Sequence, residues 1–343
     1  MKKLLNTLYV MNPDSYLTRD GLNVVLRVDN HVKFRIPVHN LESIICFNHS
    51  GASPSLMSLC TQNNVGITFL TPSGFFLARV TGKVNGNVLL RRKQFRLADN
   101  QEVSTMIAKG FITGKIANAR SVLQRFIRDH SEKVNTEDLL IAIKTLTSSL
   151  QKIQKAETTD TVRGIEGDAA KIYFGVFDKL ILVNKKDFYF IERNRRPPLD
   201  NVNTLLSFVY TLLVHDMQSA LESVGLDPSV GFLHVDRPGR ASLALDMIEE
   251  LRPYLADRIV LSLVNRKQVD TSDFTASEAG GIMIKDDAKK KIITTWQKRK
   301  QELILHPYFN EKIEIGLIPY SQALLLSRYI RGDLDGYPPF FSR

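Results

Sequence analysis

The chain has 343 residues, of which 43 % are hydrophobic and 24 % charged, so it is long enough for two domains and too apolar to be intrinsically disordered. Lysine and arginine number 46 against 36 acidic residues, and the formal charge of +10 favours a polyanionic partner, although a protein that is merely basic has the same balance. Only two cysteines, Cys46 and Cys60, are present, without a CxxC pair, which excludes a disulfide scaffold and predicts a reducing compartment.

The first residues, MKKLLNTLYVMNPDS, have the charge and apolar run of a signal peptide, but Asn6 and Thr7 interrupt the run and no small-residue cleavage site follows. We interpret them as a first strand. No apolar stretch approaches the ~20 residues of a membrane helix. The sequence therefore predicts a cytoplasmic protein with no membrane segment.

Strand signals dominate the first ~90 residues, where β-branched and aromatic runs alternate with DG, DN, HN and PSG turns. The predicted strands are TLYV at 7–10, NVVLRV at 23–28, VKFRIPV at 32–38, SIICF at 43–47, VGITFL at 65–70 and FFLARV at 75–80. One short helix is predicted at 53–64, with Ser53 as its cap and Pro54 at its first position.

From about residue 100 the apolar period changes to 3.6, which predicts a mostly helical remainder. Within it, the segment 205–225 is apolar nearly all round and is predicted to be a core helix. The predicted fold class is α+β: an N-terminal β domain over 1–95, a polar linker over 96–104, and a helical domain over 105–343. The domain ends in an irregular tail, which either docks on its own domain, the option we favour, or waits for a partner.

An acidic pair lies in an otherwise apolar segment. Asp246 and Glu249 are three residues apart and so share one face of a helix predicted to end near Arg252-Pro253. Upstream, His234 lies in a loop that the turn DRPGR brings back towards this face, and Glu166 is predicted at the start of another helix, between Gly164 and Gly167. Buried carboxylates require cations, and a set of oxygens with one imidazole suits Mn²⁺ or Mg²⁺ better than zinc.

A purely structural alternative stays open at this point. Glu166 is also explained as an acid favoured by the helix dipole, and His234 as a hydrogen-bonded loop residue. The acidic pair is equally explained by ion pairs with Arg240 or Arg252.

The strings GIEGDAAKIYF, GFLHVDRPGRASLALDMIEELRPYLADR and GKIANARSVLQR resemble the Cas1 family of CRISPR-associated endonucleases and integrases. The wording HVDRPGRASLALD is similar to the type I-C branch of that family. The resemblance extends over almost the whole chain, from ITFLTPSGFFLARV to the RYIRGDLDGYPPF ending.

The resemblance implies a β domain that forms a homodimer and a helical domain that holds a catalytic Mg²⁺ or Mn²⁺. The family's metal-binding residues fall on Glu166, His234 and Glu249, with Asp246 as an auxiliary acid. Some members have Asp where this chain has Glu249, which lengthens the ligand by one methylene. The implied reaction is phosphodiester cleavage and transesterification that inserts new spacers, carried out with the partner protein Cas2.

The expected substrate is double-stranded and partly single-stranded DNA. Arg163, Arg237 and Arg240 flank the predicted ligands and are expected to contact phosphates. Further basic runs at 91–93, 193–196, 289–291 and 298–300 could extend this track, although such runs are usually solvated faces.

Two other functional classes compete with the nuclease. One is a non-catalytic nucleic-acid-binding assembly protein, in which the acids are structural and DNA binding is indifferent to metal. The other is a metal-dependent phosphoesterase for small substrates, which has no use for the positive charge.

Overall fold

The computed structural model describes residues 5–12, 14–47, 51–72, 76–82, 88–132, 134–277 and 280–342. The chain divides into two compact units, residues 1–85 and 86–343. An N-terminal unit rich in strands and a mostly helical second unit confirm the predicted α+β class.

The first unit contains two four-stranded sheets and one helix. Its strands are β1 (Asn6–Val10), β2 (Ser15–Asp20), β3 (Asn23–Val28), β4 (His31–Pro37), β5 (Leu41–Cys46), β6 (Gly51–Ala52), β7 (Gly66–Leu70) and β8 (Phe76–Val80), and its helix is α1 (Pro54–Gln62). One sheet has the order β1-β5-β7-β8 and is parallel except for the β7/β8 pair. The other has the order β4-β3-β2-β6 and is antiparallel except for β2/β6.

The residues of the turn between β3 and β4 suit a tight hairpin. Asp29 and Asn30 between β3 and β4 both adopt positive φ, 49° and 62°, as a two-residue hairpin turn of the primed type requires. Helix α1 begins as predicted, because the Ser53 hydroxyl accepts a hydrogen bond from the Leu56 amide at 3.3 Å and Pro54 occupies the first helical position.

The second unit is built around long helices. Its elements are α2 (Val88–Ala98), α3 (Gln101–His130), α4 (Glu137–Gln154), α5 (Thr159–Gly175), α6 (Asn201–Ser223), α7 (Ser242–Ile248), a π-helical turn (Arg252–Asp257), α8 (Arg258–Asn265), α9 (Asp286–Gln301) and α10 (Ile318–Arg331), with the small hairpins β9 (Phe274–Ala276)/β10 (Ile282–Ile284) and β11 (Leu303–Leu305)/β12 (Lys312–Glu314). Helix α3 packs against α4, α5 and the π-helical turn, and α6 packs against α7 and α10. Within the described residues, no helix combines the length and apolarity that a membrane crossing requires.

The C-terminal tail docks on its own unit along α3. Gly110 and Gly114, one helical turn apart, leave a groove on α3: a Cβ at Gly114 would lie 2.8 Å from the Glu250 Cβ, and one at Gly110 would lie 3.2 Å from Tyr337. One turn further, the Asn118 amide donates to the carbonyls of Glu250 and Phe340 at 2.7 and 2.9 Å. The Phe340 side chain is fully buried. The tail is therefore part of the packing of the second unit, as the favoured prediction held.

The observed elements differ from the predicted ones in several places. Strand β2 was not predicted, because SYLTRD mixes polar and apolar residues without a clear run. The division falls after residue 85 rather than 95, and the predicted linker 96–104 is largely helical, broken only between α2 and α3. Phe75 of the predicted strand 75–80 and residues 73 and 74 of the PSG turn lie outside the described residues.

Candidate active site

Lys115 on α3 joins two of the predicted metal ligands. Its Nζ contacts Oε1 of Glu166, in the middle of α5, and lies 2.6 Å from Oε2 of Glu249, the residue that follows α7. The Lys115 side chain is only 12 % exposed and that of Glu249 only 4 %. Three separate elements thus bring two carboxylates onto one cation. The prediction that Glu166 begins its helix is wrong, since α5 already starts at Thr159.

Arg252 is the second cation at Glu249. Its Nη1 lies 2.7 Å from Oε1 of Glu249, and its guanidinium stacks 4.9 Å from the centroid of the Tyr210 ring. Burial by itself would raise the pKa of Glu249, but the charges of Arg252 and Lys115 outweigh it and lower the pKa to about 2. Glu249 is therefore ionised at neutral pH, with the cations that a buried carboxylate requires. The prediction that the helix ends near Arg252-Pro253 is wrong. Helix α7 ends earlier, at Ile248, and a π-helical turn starts at Arg252.

Asp246 has a different task from Glu249. It is fully buried, and its carboxylate accepts hydrogen bonds from the amides of Phe232, Leu233 and His234 at 2.7, 2.9 and 3.0 Å. Its Oδ1 also lies 2.5 Å from Nδ1 of His234. Asp246 therefore fixes the loop before α7 and orients the imidazole, so that Nε2 is the ring nitrogen left for another partner.

Two further residues hold the His234 loop in place. At Gly231 a Cβ would lie 2.8 Å from Oδ2 of Asp246, so only glycine allows the loop to approach the carboxylate so closely. The Nε of Arg163, on α5, donates to the Leu233 carbonyl at 2.9 Å, and its Nη1 pairs with Asp160. In this structure Arg163 supports the loop from α5.

The charge of Arg240 interacts with those of arginines from its own loop and from the loop at 195–196. The pKa of Arg240 is lowered, first by burial and then by the charges of Arg237, Arg195 and Arg196. Arg237 is exposed and Arg240 partly buried. The predicted contact Arg240 is therefore within electrostatic range of the predicted contact Arg237 and of Arg195 and Arg196, two members of the basic run at 193–196.

The basic runs on α9 are largely neutralised by neighbouring acids. Two lysines are buried in ion pairs, Lys289 with Asp286 and Lys300 with Asp216, both at 2.8 Å. The other ion pairs of this helix are Lys290–Asp287, Lys291–Asp273 and Arg299–Glu302. Because each of these cations already has an acidic partner, α9 is a poorer phosphate track than the arginine loops.

A cavity of about 460 Å³ opens beside Glu166. Lys115 and Glu166 line one side, and Tyr210, Arg193 and Arg252 are among the residues of the other walls. Asp257 also lines the cavity; the Tyr210 hydroxyl donates to its carboxylate at 2.6 Å, and burial raises the pKa of Asp257 to about 6. The cavity combines cationic and aromatic walls, the pairing that suits a phosphate and a base.

The structure brings together some of the predicted ligands and separates others. Glu166 and Glu249 converge on one point, and His234 is near enough for its charge to help lower the pKa of Glu249. Asp246 does not join them, because backbone amides and the imidazole occupy its oxygens. In the described part of the chain, no three His, Cys, Asp or Glu side chains are grouped so that they could hold a metal ion. The point that Glu166 and Glu249 share holds the Lys115 ammonium.

Sequence reasoning assigned no role to Lys115. The available signal was a lysine on the packing face of α3, four residues after the buried Phe111 and three before the buried Asn118. Arg252 was considered only as an ion-pair partner for the acids, which it is.

Comparison with known proteins identifies the family. The model of the family "CRISPR associated protein Cas1" matches residues 8–298. A CRISPR-associated endonuclease Cas1 from Chlorobaculum tepidum is 53 % identical over 343 residues, which cover all of both chains. Neither match specifies a subtype, so the type I-C assignment stays a prediction.

Solved structures have the same fold. A CAS1 protein from Thermotoga maritima superposes with a TM-score of 0.81 at 25 % identity, covering 98 % of this chain and all of that one. A casposase bound to its integration product gives a TM-score of 0.85 at 22 % identity, over 99 % of this chain and 95 % of that one, and this likeness concerns the fold alone. The family model matches residues 8–298 of this chain, and the relative from Chlorobaculum tepidum is 53 % identical over its full length. The chain therefore belongs to the Cas1 family.

Proposed function

We propose that this protein is a metal-dependent DNA endonuclease and integrase of CRISPR adaptation, acting in the cytoplasm, with Glu166, His234 and Glu249 as ligands of Mg²⁺ or Mn²⁺. One observation carries the proposal most directly. Two carboxylates from separate elements, Glu166 on α5 and Glu249 after α7, converge on a single cation, and the imidazole of the third predicted ligand, His234, is oriented by Asp246. The curated relative that matches the whole chain is itself named an endonuclease.

The residues fit a hard divalent ion. Carboxylate oxygens are its preferred ligands, and one imidazole is tolerated best by Mn²⁺. The buried Oε2 of Glu249 lies 2.6 Å from the Lys115 ammonium, so this oxygen already binds a cation at the position proposed for the metal. A metal bound here would lower the pKa of a water molecule and stabilise negative charge on a phosphodiester.

The protein's own groups would position that ion and the DNA. Asp246 holds the imidazole of His234 through Nδ1 and fixes its loop through three amides. Arg252 keeps Glu249 ionised and in place. Arg237 and Arg240, with the neighbouring loop at 195–196, would bind phosphates on either side of the reacting bond.

The reaction fits the family that the chain belongs to. The 3′-hydroxyl of a captured DNA fragment would attack a phosphate of the repeat, so that one phosphodiester bond forms as another breaks. The N-terminal unit would form the homodimer and Cas2 would be the partner protein, as the resemblance implies. The substrate would be double-stranded DNA with single-stranded ends.

The test is cleavage and half-site integration of labelled DNA, with Cas2 added for integration. Glu166→Gln, His234→Asn and Glu249→Gln should each reduce the rate at least ~100-fold, and EDTA should abolish a rate that Mn²⁺ restores. Asp168→Asn, an exposed acid two residues from Glu166 on the same helix, is the matched control and should keep full activity. Full activity in any of the three ligand variants would refute the assignment.

A second candidate is a DNA-binding assembly protein without catalysis. It is favoured by the ion pairs themselves, because Lys115 and Arg252 already neutralise Glu166 and Glu249 as the structural alternative expects. In that case DNA binding would weaken with salt but be unaffected by EDTA, and Mn²⁺ would not bind. Titration of the protein with Mn²⁺ separates the two candidates.

A further inference from the structure

Lys115 occupies the position at which the two carboxylates meet. Its Nζ contacts Glu166 and lies 2.6 Å from Glu249, and the three residues come from three different elements of the fold. Lysine carries a compact, strongly hydrated charge, which is costly to bury without good reason. Here it keeps two acids from repelling each other.

The ammonium and a divalent ion cannot share this position. Hard divalent ions bind carboxylate oxygens at roughly 2.0–2.6 Å, which is the space that the Lys115 nitrogen now occupies against Glu249. The charges lead to the same conclusion. The two negative charges of Glu166 and Glu249 are balanced by the two positive charges of Lys115 and Arg252. A divalent ion added to this set creates an excess of two positive charges, and the withdrawal of one of the cations reduces that excess.

Of the two cations, Lys115 is the one able to withdraw. Arg252 is fixed by its ion pair with Glu249 and by stacking over the Tyr210 ring. Lys115 has a flexible four-carbon stem and, like Glu166, lines the 460 Å³ cavity. Its backbone need not move, and α3 is in any case fixed at Gly114, next to Lys115, by close packing against Glu250.

Building on the metal-dependent function proposed above, we propose that Lys115 is an internal counter-ion that holds Glu166 and Glu249 together, and that a divalent cation displaces its ammonium into the adjacent cavity.

The first test is Mn²⁺ binding by isothermal titration calorimetry. Lys115→Met keeps the length of the side chain and removes its charge, so Mn²⁺ should bind at least about tenfold more tightly than to the wild type. The control Lys109→Met removes a lysine of the same helix whose ammonium binds the Gln154 and Ala156 carbonyls, and should leave Mn²⁺ affinity unchanged. Equal or weaker binding by Lys115→Met, with normal binding by the wild type, overturns this inference alone. Absence of Mn²⁺ binding in both proteins overturns the metal-dependent function as well.

The second test uses the unmodified protein and so does not depend on the folding of a variant. Acetylation of lysines, quantified by mass spectrometry, should label Lys115 several-fold faster at saturating Mn²⁺ than in EDTA, because a displaced ammonium loses its two carboxylate partners. Labelling of Lys109 should not change. A Lys115 labelling rate that is the same with and without saturating Mn²⁺ would overturn the proposal.

Discussion

Asp246 is the residue whose substitution tests the architecture of the site most directly. Asp246→Asn preserves the shape of the side chain but turns one acceptor oxygen into a donor. If the amide nitrogen takes the place of Oδ2, the hydrogen bonds from the amides of Phe232 and Leu233 are lost; if it takes the place of Oδ1, the bond from the His234 amide is lost. Each lost bond to a charged acceptor in a buried place costs roughly 1.5–3 kcal/mol, so the loss of one or two bonds should lower the free energy of unfolding of the second unit by about 1.5–6 kcal/mol.

The protein carries its own probe for this measurement. Trp296 on α9 is the single tryptophan of the chain, and it is fully buried in the second unit. Its fluorescence during urea unfolding therefore reports on the unit that contains Asp246. The control is Asp236→Asn, an exposed acid in the same loop, which should change stability by less than about 0.5 kcal/mol. A loss below about 1 kcal/mol for Asp246→Asn would show that the three amides do not depend on this carboxylate.

Three further predictions use the same fluorescence assay. Gly231→Ala should lower the free energy of unfolding by about 1–3 kcal/mol, because the new Cβ would lie 2.8 Å from a carboxylate oxygen of Asp246. Gly164→Ala, in α5 with nothing within 4 Å of the new Cβ, should raise it by up to about 1 kcal/mol. Equal effects of the two substitutions would contradict the packing described. Phe340→Ala should destabilise the unit by about 3–5 kcal/mol, and its neighbour Phe341, which is 40 % exposed, should tolerate the same change with a loss of less than about 1 kcal/mol. Burial lowers the pKa of His306 from 6.5 to about 4, so between pH 6.5 and 4 this imidazole binds a proton in the unfolded chain but not in the folded protein. Stability should therefore fall as the pH is lowered from 6.5 to 4, by up to about 3 kcal/mol, and His306→Asn should flatten this decline; an identical pH profile in the variant would refute the role of the imidazole.

The sequence predicted the fold class well because the apolar period is a local property. Alternation in the first part of the chain and the 3.6-residue period later are visible without any tertiary information, and the six predicted strands overlap β1, β3, β4, β5, β7 and β8. Strand β2 escaped prediction because its pairing with β3 and β6, rather than its own composition, makes it a strand. The end of α7 at Ile248 was also missed, since residues after it remain helical in a different hydrogen-bonding pattern.

The candidate site was predictable only in part. The sequence showed that acids in an apolar segment need cations, and the resemblance pointed to Glu166, His234 and Glu249. It did not show that Lys115 is the cation, because a lysine on an amphipathic helix is normally solvated and its burial depends on where α5 and α7 pack. The i, i+3 spacing of Asp246 and Glu249 also did not show that the two acids have separate tasks. Asp246 binds the backbone amides of a loop and Glu249 binds Arg252, and helical spacing says nothing about either partner.

The docked tail also limits the order in which this unit can be completed during synthesis. Asn118 holds the carbonyl of a residue 222 positions later in the chain. At about 5–20 residues per second, a ribosome needs on the order of ten seconds or more to deliver Phe340 after the groove on α3 has emerged. Until then the glycine groove and Glu250, the neighbour of Glu249, lack the segment that covers them, so the buried carboxylate of Glu250 has no Phe340 amide to bind.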